Sequence, residues 1–244
     1  MCSSDLKRRR SRALAPSEPG VRVVAPYHLG LRIVLAGVLL ALVAAGSALA
    51  SGGDPKKAIT PADQARARAM LLKQADFGPG YRPLRGSSSG SALNPNCPAL
   101  DESDLTVTGE AESPNFTSGL QTFSSASGIY KTAADANSSW RRGTSRAGFN
   151  CLTAVFRQLA RAGGLRFVSF RKIPFPAIAP RTVAYRWQAL AGGVRVYADI
   201  VLLMRGRAQA AVILISGIDP LERSESLRLT RLVATRMAKA MRGT

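Results

Sequence analysis

Residues 165–217 read LRFVSFRKIPFPAIAPRTVAYRWQALAGGVRVYADIVLLMRGRAQAAVILISG, and this stretch decides the fold class. It divides into four strand-like segments, 165–173, 181–190, 193–204 and 208–217, separated by short turns containing Gly or Pro. The third segment alternates. Val194, Val196, Ala198, Ile200, Leu202 and Met204 fall on one side, and Arg195, Tyr197, Asp199, Val201, Leu203 and Arg205 on the other. Gly192-Gly193 and Arg205-Gly206-Arg207 mark hairpin turns, so consecutive strands here run antiparallel.

Working outward, Asp219-Pro220-Leu221-Glu222 predicts a helix start with Asp219 at N-cap, Pro220 at N1 and Glu222 at N3. Leu229, Leu232, Val233, Met237, Ala240 and Met241 form its apolar stripe. Upstream, Leu152, Val155, Phe156 and Leu159 recur at helical spacing within 151–162, and 132–142 predicts a shorter helix carrying Trp140. Residues 104–111 and 119–130 predict two more strands, and 82–98 an irregular Gly/Ser/Pro loop. Thr60-Pro61-Ala62-Asp63 predicts a first helix reaching about Lys73. The sum is an α+β domain over 60–244: an antiparallel β-sheet covered by helices on one face, with the C-terminal helix packed on the sheet.

The N-terminal part has a different character. Residues 33–50, IVLAGVLLALVAAGSALA, are apolar apart from Ser47 and follow Arg32 and the basic run Lys7-Arg8-Arg9-Arg10. The ending Ala48-Leu49-Ala50 supplies the small side chains a signal peptidase requires, which favours a cleaved signal peptide. An uncleaved signal anchor, associating with the membrane through 33–50, is the alternative. Residues 51–59 read as a linker. Export predicts an extracytoplasmic location, either secreted or held at the outer face of the cytoplasmic membrane. After this leader only Cys97 and Cys151 remain, and an oxidising compartment predicts a disulfide between them, with free thiols or an intermolecular link as alternatives.

The segments LLKQADFGPGY (71–81), Cys97-Pro98 before Leu105-Thr106-Val107-Thr108-Gly109, Ser139-Trp140, Cys151 and the final helix resemble a group of actinobacterial exported domains. That group includes PsbP-like mycobacterial lipoproteins and extracytoplasmic sensor-type domains of serine/threonine kinases. The resemblance implies ligand or partner binding in the cell envelope rather than catalysis. This chain departs from it in having no kinase domain, no lipobox Cys and cysteines for only one disulfide.

Charge and chemistry narrow the function. The formal net charge is +19, and 27 of 34 basic and 13 of 15 acidic residues fall within 51–244. Such a surface attracts polyanions, so an anionic lipid, wall polymer or envelope protein is the expected partner. Nucleic acid is not, because export separates the two. The one His, His28, lies in the leader, which removes His-based triads from the mature domain. No metal site or cofactor fingerprint is expected. Asp101, Glu102, Asp104, Glu110 and Glu112 form an acidic cluster, and an envelope hydrolase using paired carboxylates is the alternative function. Arg186, Arg195 and Arg205 with Tyr197 are the candidate ligand-binding residues, with Tyr185 and Trp187 nearby. Arginine beside aromatic rings suits phosphate, carboxylate or sugar recognition.

Overall fold

The computed structural model describes residues 53–84 and 97–242; the expected signal segment at 33–50 and most of the expected loop at 82–98 lie outside them. The element order is β1 (Lys56–Lys57), α1 (Pro61–Met70), β2 (Arg82–Leu84), β3 (Thr106–Glu112), β4 (Asn115–Ser118), β5 (Gln121–Tyr130), α2 (Ala133–Thr144), α3 (Arg146–Ala162), β6 (Arg166–Ile173), β7 (Arg181–Ala191), β8 (Val194–Arg205), β9 (Ala208–Gly217) and α4 (Arg223–Ala240). The fold is α+β. One nine-stranded, mostly antiparallel sheet runs β1-β3-β5-β9-β8-β7-β6, and β4, carrying β2, shares the outer edge of β5 with β3. The four segments of 165–217 form the expected meander. Gly192 and Gly193, at φ 55° and 86°, make the tight β7–β8 turn that a residue with a Cβ adopts only under strain.

Helices cover both sheet faces, not the single face expected. On one face α1 and α4 bury Ala67, Met70, Leu229, Val233 and Met237 against Phe123, Ile129, Val201, Leu203, Val212 and Leu214. On the other, α3 buries Leu152, Val155, Phe156 and Leu159 against Trp187, Val196, Ala198, Ile213 and Ile215. The physical reason lies in the central strands. Val212-Ile213-Leu214-Ile215 is an unbroken apolar run, so both of its faces must leave water. The disulfide between Cys97 and Cys151 is present, with Cα atoms 5.8 Å apart, and fastens the Pro98–Leu100 turn to α3.

Element boundaries follow from local hydrogen bonding. Thr60 caps α1 as expected, its Oγ1 accepting from the Asp63 amide at 3.2 Å. Ser145 closes α2 and opens α3 at once, so α3 begins five residues before Cys151. Asp219 does not cap the last helix. Its carbonyl accepts from Ser216 Oγ at 2.8 Å after Ile218 turns at φ 76°, and α4 starts only after Glu222. The expected linker is partly structural too: the amides of Lys56, Ala58 and Thr60 donate to Leu105, Val107 and Thr108 along the edge of β3.

Candidate ligand pocket

The two helical layers fill their faces unequally. Over β6–β7, α3 closes the sheet with stacked rings: Phe156 and Phe149 lie 4.6 and 5.3 Å from Phe170. Over β3, β5 and β9, α2 touches down through Ala136, which is buried with Val107 and Tyr130 and whose carbonyl accepts from Gln209 Nε2 at 2.8 Å, and beside that contact a cavity of about 550 Å³ remains between helices and sheet. That volume is within the range of small-molecule sites.

Its walls are polarised along the strand order. Ile200 and Leu202 of β8, Ala211 and Ile213 of β9, and Ala126 and Gly128 of β5 form the floor, with Leu152, Phe156 and Trp140 opposite. A side chain at Gly128 would enter open space. At the outer strands the lining becomes charged: Glu110 and Glu112 on β3, Lys57 on β1, and Asp54 and Glu102 beside them. Neighbouring strands are about 4.8 Å apart, so apolar floor and charged mouth are separated by about 14 Å from β8 to β3.

A β-bulge sets that polarity. Val107 pairs with Tyr130 but Gly109 pairs with Ile129, leaving Thr108 as the extra residue. Beyond it Glu110 lies opposite Gly128 and Glu112 opposite Ala126, so both carboxylates share the pocket face. Without the extra residue Gly109 and Ala111 would occupy those places. The bulge is pinned from the opposite face: Thr108 Oγ1 donates to Asp63 Oδ2 at 2.6 Å. Gly109 has no Cβ to collide with the Asp63 carbonyl, which permits this close approach of α1.

Asp63 is the hub of this pinning. It is buried and takes a bidentate pair from Arg207 at 2.7 Å on each oxygen, with Arg66 at 2.8 Å. Hydrogen bonds from Arg207 hold its carboxyl far below the ordinary aspartate value, outweighing the opposing effect of burial. At the pocket wall, the Tyr130 hydroxyl lies 2.7 Å from Ser139 Oγ and 3.1 Å from Glu102 Oε2. Burial, with the Glu102 charge beside it, pushes that hydroxyl well above the ordinary tyrosine value.

Arg186, Arg195, Tyr197 and Arg205 do share one sheet face, but it is the α1/α4 face, opposite the pocket; Tyr185 and Trp187 project to the other. Arg186 is spent on Asp199, donating at 2.6 and 2.7 Å, with its guanidinium 6.0 Å from the Tyr197 ring. Tyr197 is buried and Arg195 exposed, and the Nε of half-buried Arg205 is enclosed with no partner among the described residues. Arg195 and Arg205 are ten residues apart on one strand, about 33 Å, too far to hold one small ligand together. Of the acidic cluster, Asp104 pairs with Arg142 at 2.6 Å, and Asp101 accepts from the Gly53 and Ser103 amides at 3.0 Å. Glu102, Glu110 and Glu112 reach the pocket.

Sequence reading missed the pocket's floor. Ala126, Gly128 and Ala211 are small residues in strands, and only their clustering across β5 and β9 makes space. It also missed a basic corner where Arg157, Arg161 and Arg166 surround a shallow concavity, with Arg157 stacked 5.1 Å over Phe167. No carboxylate lies within ion-pair distance of these three among the described residues. Nor, among those residues, does a metal-ligating cluster occur, or a helix long and apolar enough to cross a membrane. Comparison with protein-family models and with curated proteins finds no match to the chain.

Proposed function

We propose that this is a non-enzymatic, exported cell-envelope protein whose pocket takes up an amphiphilic ligand. The carrying observation is the cavity of about 550 Å³, apolar along β5, β9 and β8 and charged at β3 and β1. Apolar surface left facing a cavity gains about 25 cal/mol per Å² when a ligand replaces water there, so an acyl chain or fused-ring body fits the floor. The resemblance to envelope sensor and lipoprotein domains supports the same reading, and the Cys97–Cys151 bond is compatible with an oxidising, extracytoplasmic location. The test is saturable binding of the neutral fluorophore N-phenyl-1-naphthylamine. The protein should bind it and release it to long-chain amphiphiles, and Gly128→Leu, which fills the cavity, should abolish binding. Unsaturable fluorescence, or full binding by a folded Gly128→Leu variant, contradicts the proposal.

A second contact, with the expected anionic partner, is favoured by Arg157, Arg161 and Arg166, whose concavity shares no lining residue with the pocket. Anionic vesicles or a wall polymer would engage this corner through charge, with affinity falling as salt rises. The double variant Arg157→Glu/Arg161→Glu should lose most of that salt-sensitive binding; retention in full assigns the contact elsewhere.

A further inference from the structure

We infer that the end of the sheet bearing Ile218 docks on an anionic lipid leaflet, Ile218 among the lipids and arginines on their headgroups. This rests on the reading of Arg157, Arg161 and Arg166 as the anionic contact. Ile218 is the one non-glycine residue at positive φ among the described residues, at 76°. A β-branched side chain meets steric conflict in that region, where glycine meets none. The side chain gives the fold little in return: it is 57% exposed, more than any other large hydrophobic residue among those described. A strained backbone that holds an apolar side chain out in water is accounted for by a contact outside the chain.

The surroundings of Ile218 match a lipid surface. Its amide donates to the Arg195 carbonyl at 2.8 Å, Arg195 lies opposite Leu190, and Leu190 lies opposite Arg166. Ile218, half-buried Leu190 and the exposed Arg195 and Arg166 therefore form one row across the end of the sheet, about 14 Å long. At Arg166 the row meets the concavity of Arg157, Arg161 and Phe167. Val168, the extra residue of the β6 bulge, is also exposed and lies two residues further on. Asp219 and Glu222 are the acidic residues next to Ile218 in the chain, and Arg223 follows them. Against these carboxylates stand Arg157, Arg161, Arg166, Arg195 and Arg223, none within ion-pair distance of a carboxylate among the described residues. The mixture of cationic and apolar residues separates a bilayer from a soluble polyanion. A polyanion offers charge alone, whereas an anionic leaflet offers phosphates to the guanidiniums and an apolar phase beneath them to Ile218 and Val168. Arginine stems lie along such a surface while their heads stay at the phosphate level.

The experiment uses the full chain and reads position 218 itself, so that contacts of 1–50 with lipid do not enter. Ile218→Trp is mixed with vesicles of phosphatidylglycerol and phosphatidylcholine in equal parts. Beyond the signal that Trp140 and Trp187 give in the unaltered protein, its emission should shift to the blue and be quenched by lipids brominated on their acyl chains. Soluble polyphosphate in place of vesicles should cause neither change. Adding Arg195→Glu should weaken the vesicle affinity read by this quenching several-fold, and added salt should do the same. Ile218→Asn, which suits the left-handed turn and removes the apolar group, should unfold in urea at the same midpoint as the unaltered protein or a higher one. A lower midpoint assigns the side chain to the fold and overturns the inference. An indole at 218 that stays unquenched also overturns it, and the charge contact then stands alone if Arg157→Glu/Arg161→Glu loses vesicle binding. Where the indole stays unquenched and that double variant binds in full, the charge contact fails as well.

Discussion

The two faces of the sheet are built from the same strands and finished differently. On the α1/α4 face, β5 presents Phe123, Ser125, Ser127 and Ile129. The rings of Phe77, Phe116 and Tyr81 surround Phe123, while Ser125 Oγ accepts from the Leu72 amide and Ser127 Oγ donates to the Ala67 carbonyl, both at 2.8 Å. Three bidentate Asp–Arg pairs lock this side: Asp63–Arg207, Asp76–Arg236 and Asp199–Arg186. On the α2/α3 face the same strand presents Ala126 and Gly128, and the space above them stays open. One face is closed by packing and charge. The other is held in place by a covalent bond and left unfilled where β3, β5 and β9 meet. The difference teaches that close packing and open space are assigned to opposite sides, and that the bulge at Thr108 joins them.

The largest expected effect is on the closed face. Phe123→Ala removes a fully buried ring and should destabilise the protein by about 4 kcal/mol, read as an earlier midpoint in urea with unchanged slope. A loss below about 1 kcal/mol would mean that this face is not the stabilising one.

Next comes Asp63→Asn, which leaves Arg207 without its counter-charge and should cost about 3 kcal/mol. The same pair sets an acid sensitivity. Asp63 and Asp76 titrate below their ordinary value of 3.8, the latter because Arg236 and the Lys73 amide together outweigh burial's tendency to raise it. A carboxyl depressed in the folded state contributes its full stability above the unfolded value and loses it as pH falls through the folded one. Hydrogen exchange in α1 and α4 should therefore rise below about pH 4 before exchange in α3, which the disulfide restrains. Simultaneous opening of both layers would show that the ion pairs do not distinguish the faces.

The smallest expected effect is on the open face. Gly128→Leu adds a side chain to empty space in a strand, so its stability should stay within about 1 kcal/mol of the unaltered protein even as dye binding is lost. A large destabilisation would mean that the cavity is not open in solution.

Much of the scaffold was legible in the sequence. The alternation of 194–205, the turn glycines and the Thr60 cap are local signals, and they placed the meander and the first helix. The disulfide followed from there being only two cysteines after the leader. The second helical layer was signalled, by the unbroken apolar run 212–215, but that signal belongs to burial on both faces rather than to periodicity. The site was the least legible part. Arg207 reaches Asp63 across 144 residues, and nothing in either neighbourhood marks the pair. An extra residue in β3 cannot be read without its partner β5, yet it decides which way Glu110 and Glu112 face. The arginines on β7 and β8 were correctly placed on one face. Their apparent availability ended where Asp199, directly opposite Arg186, took the guanidinium.

The central claim is that the unfilled half of the α2/α3 face is the binding site. Amide chemical-shift mapping during titration with N-phenyl-1-naphthylamine tests it directly. The account expects saturable shifts in 107–112, 126–130 and 209–213, with 223–240 unmoved. Shifts centred on α4 or on the Arg186–Asp199 pair, or none at saturating ligand, would contradict it.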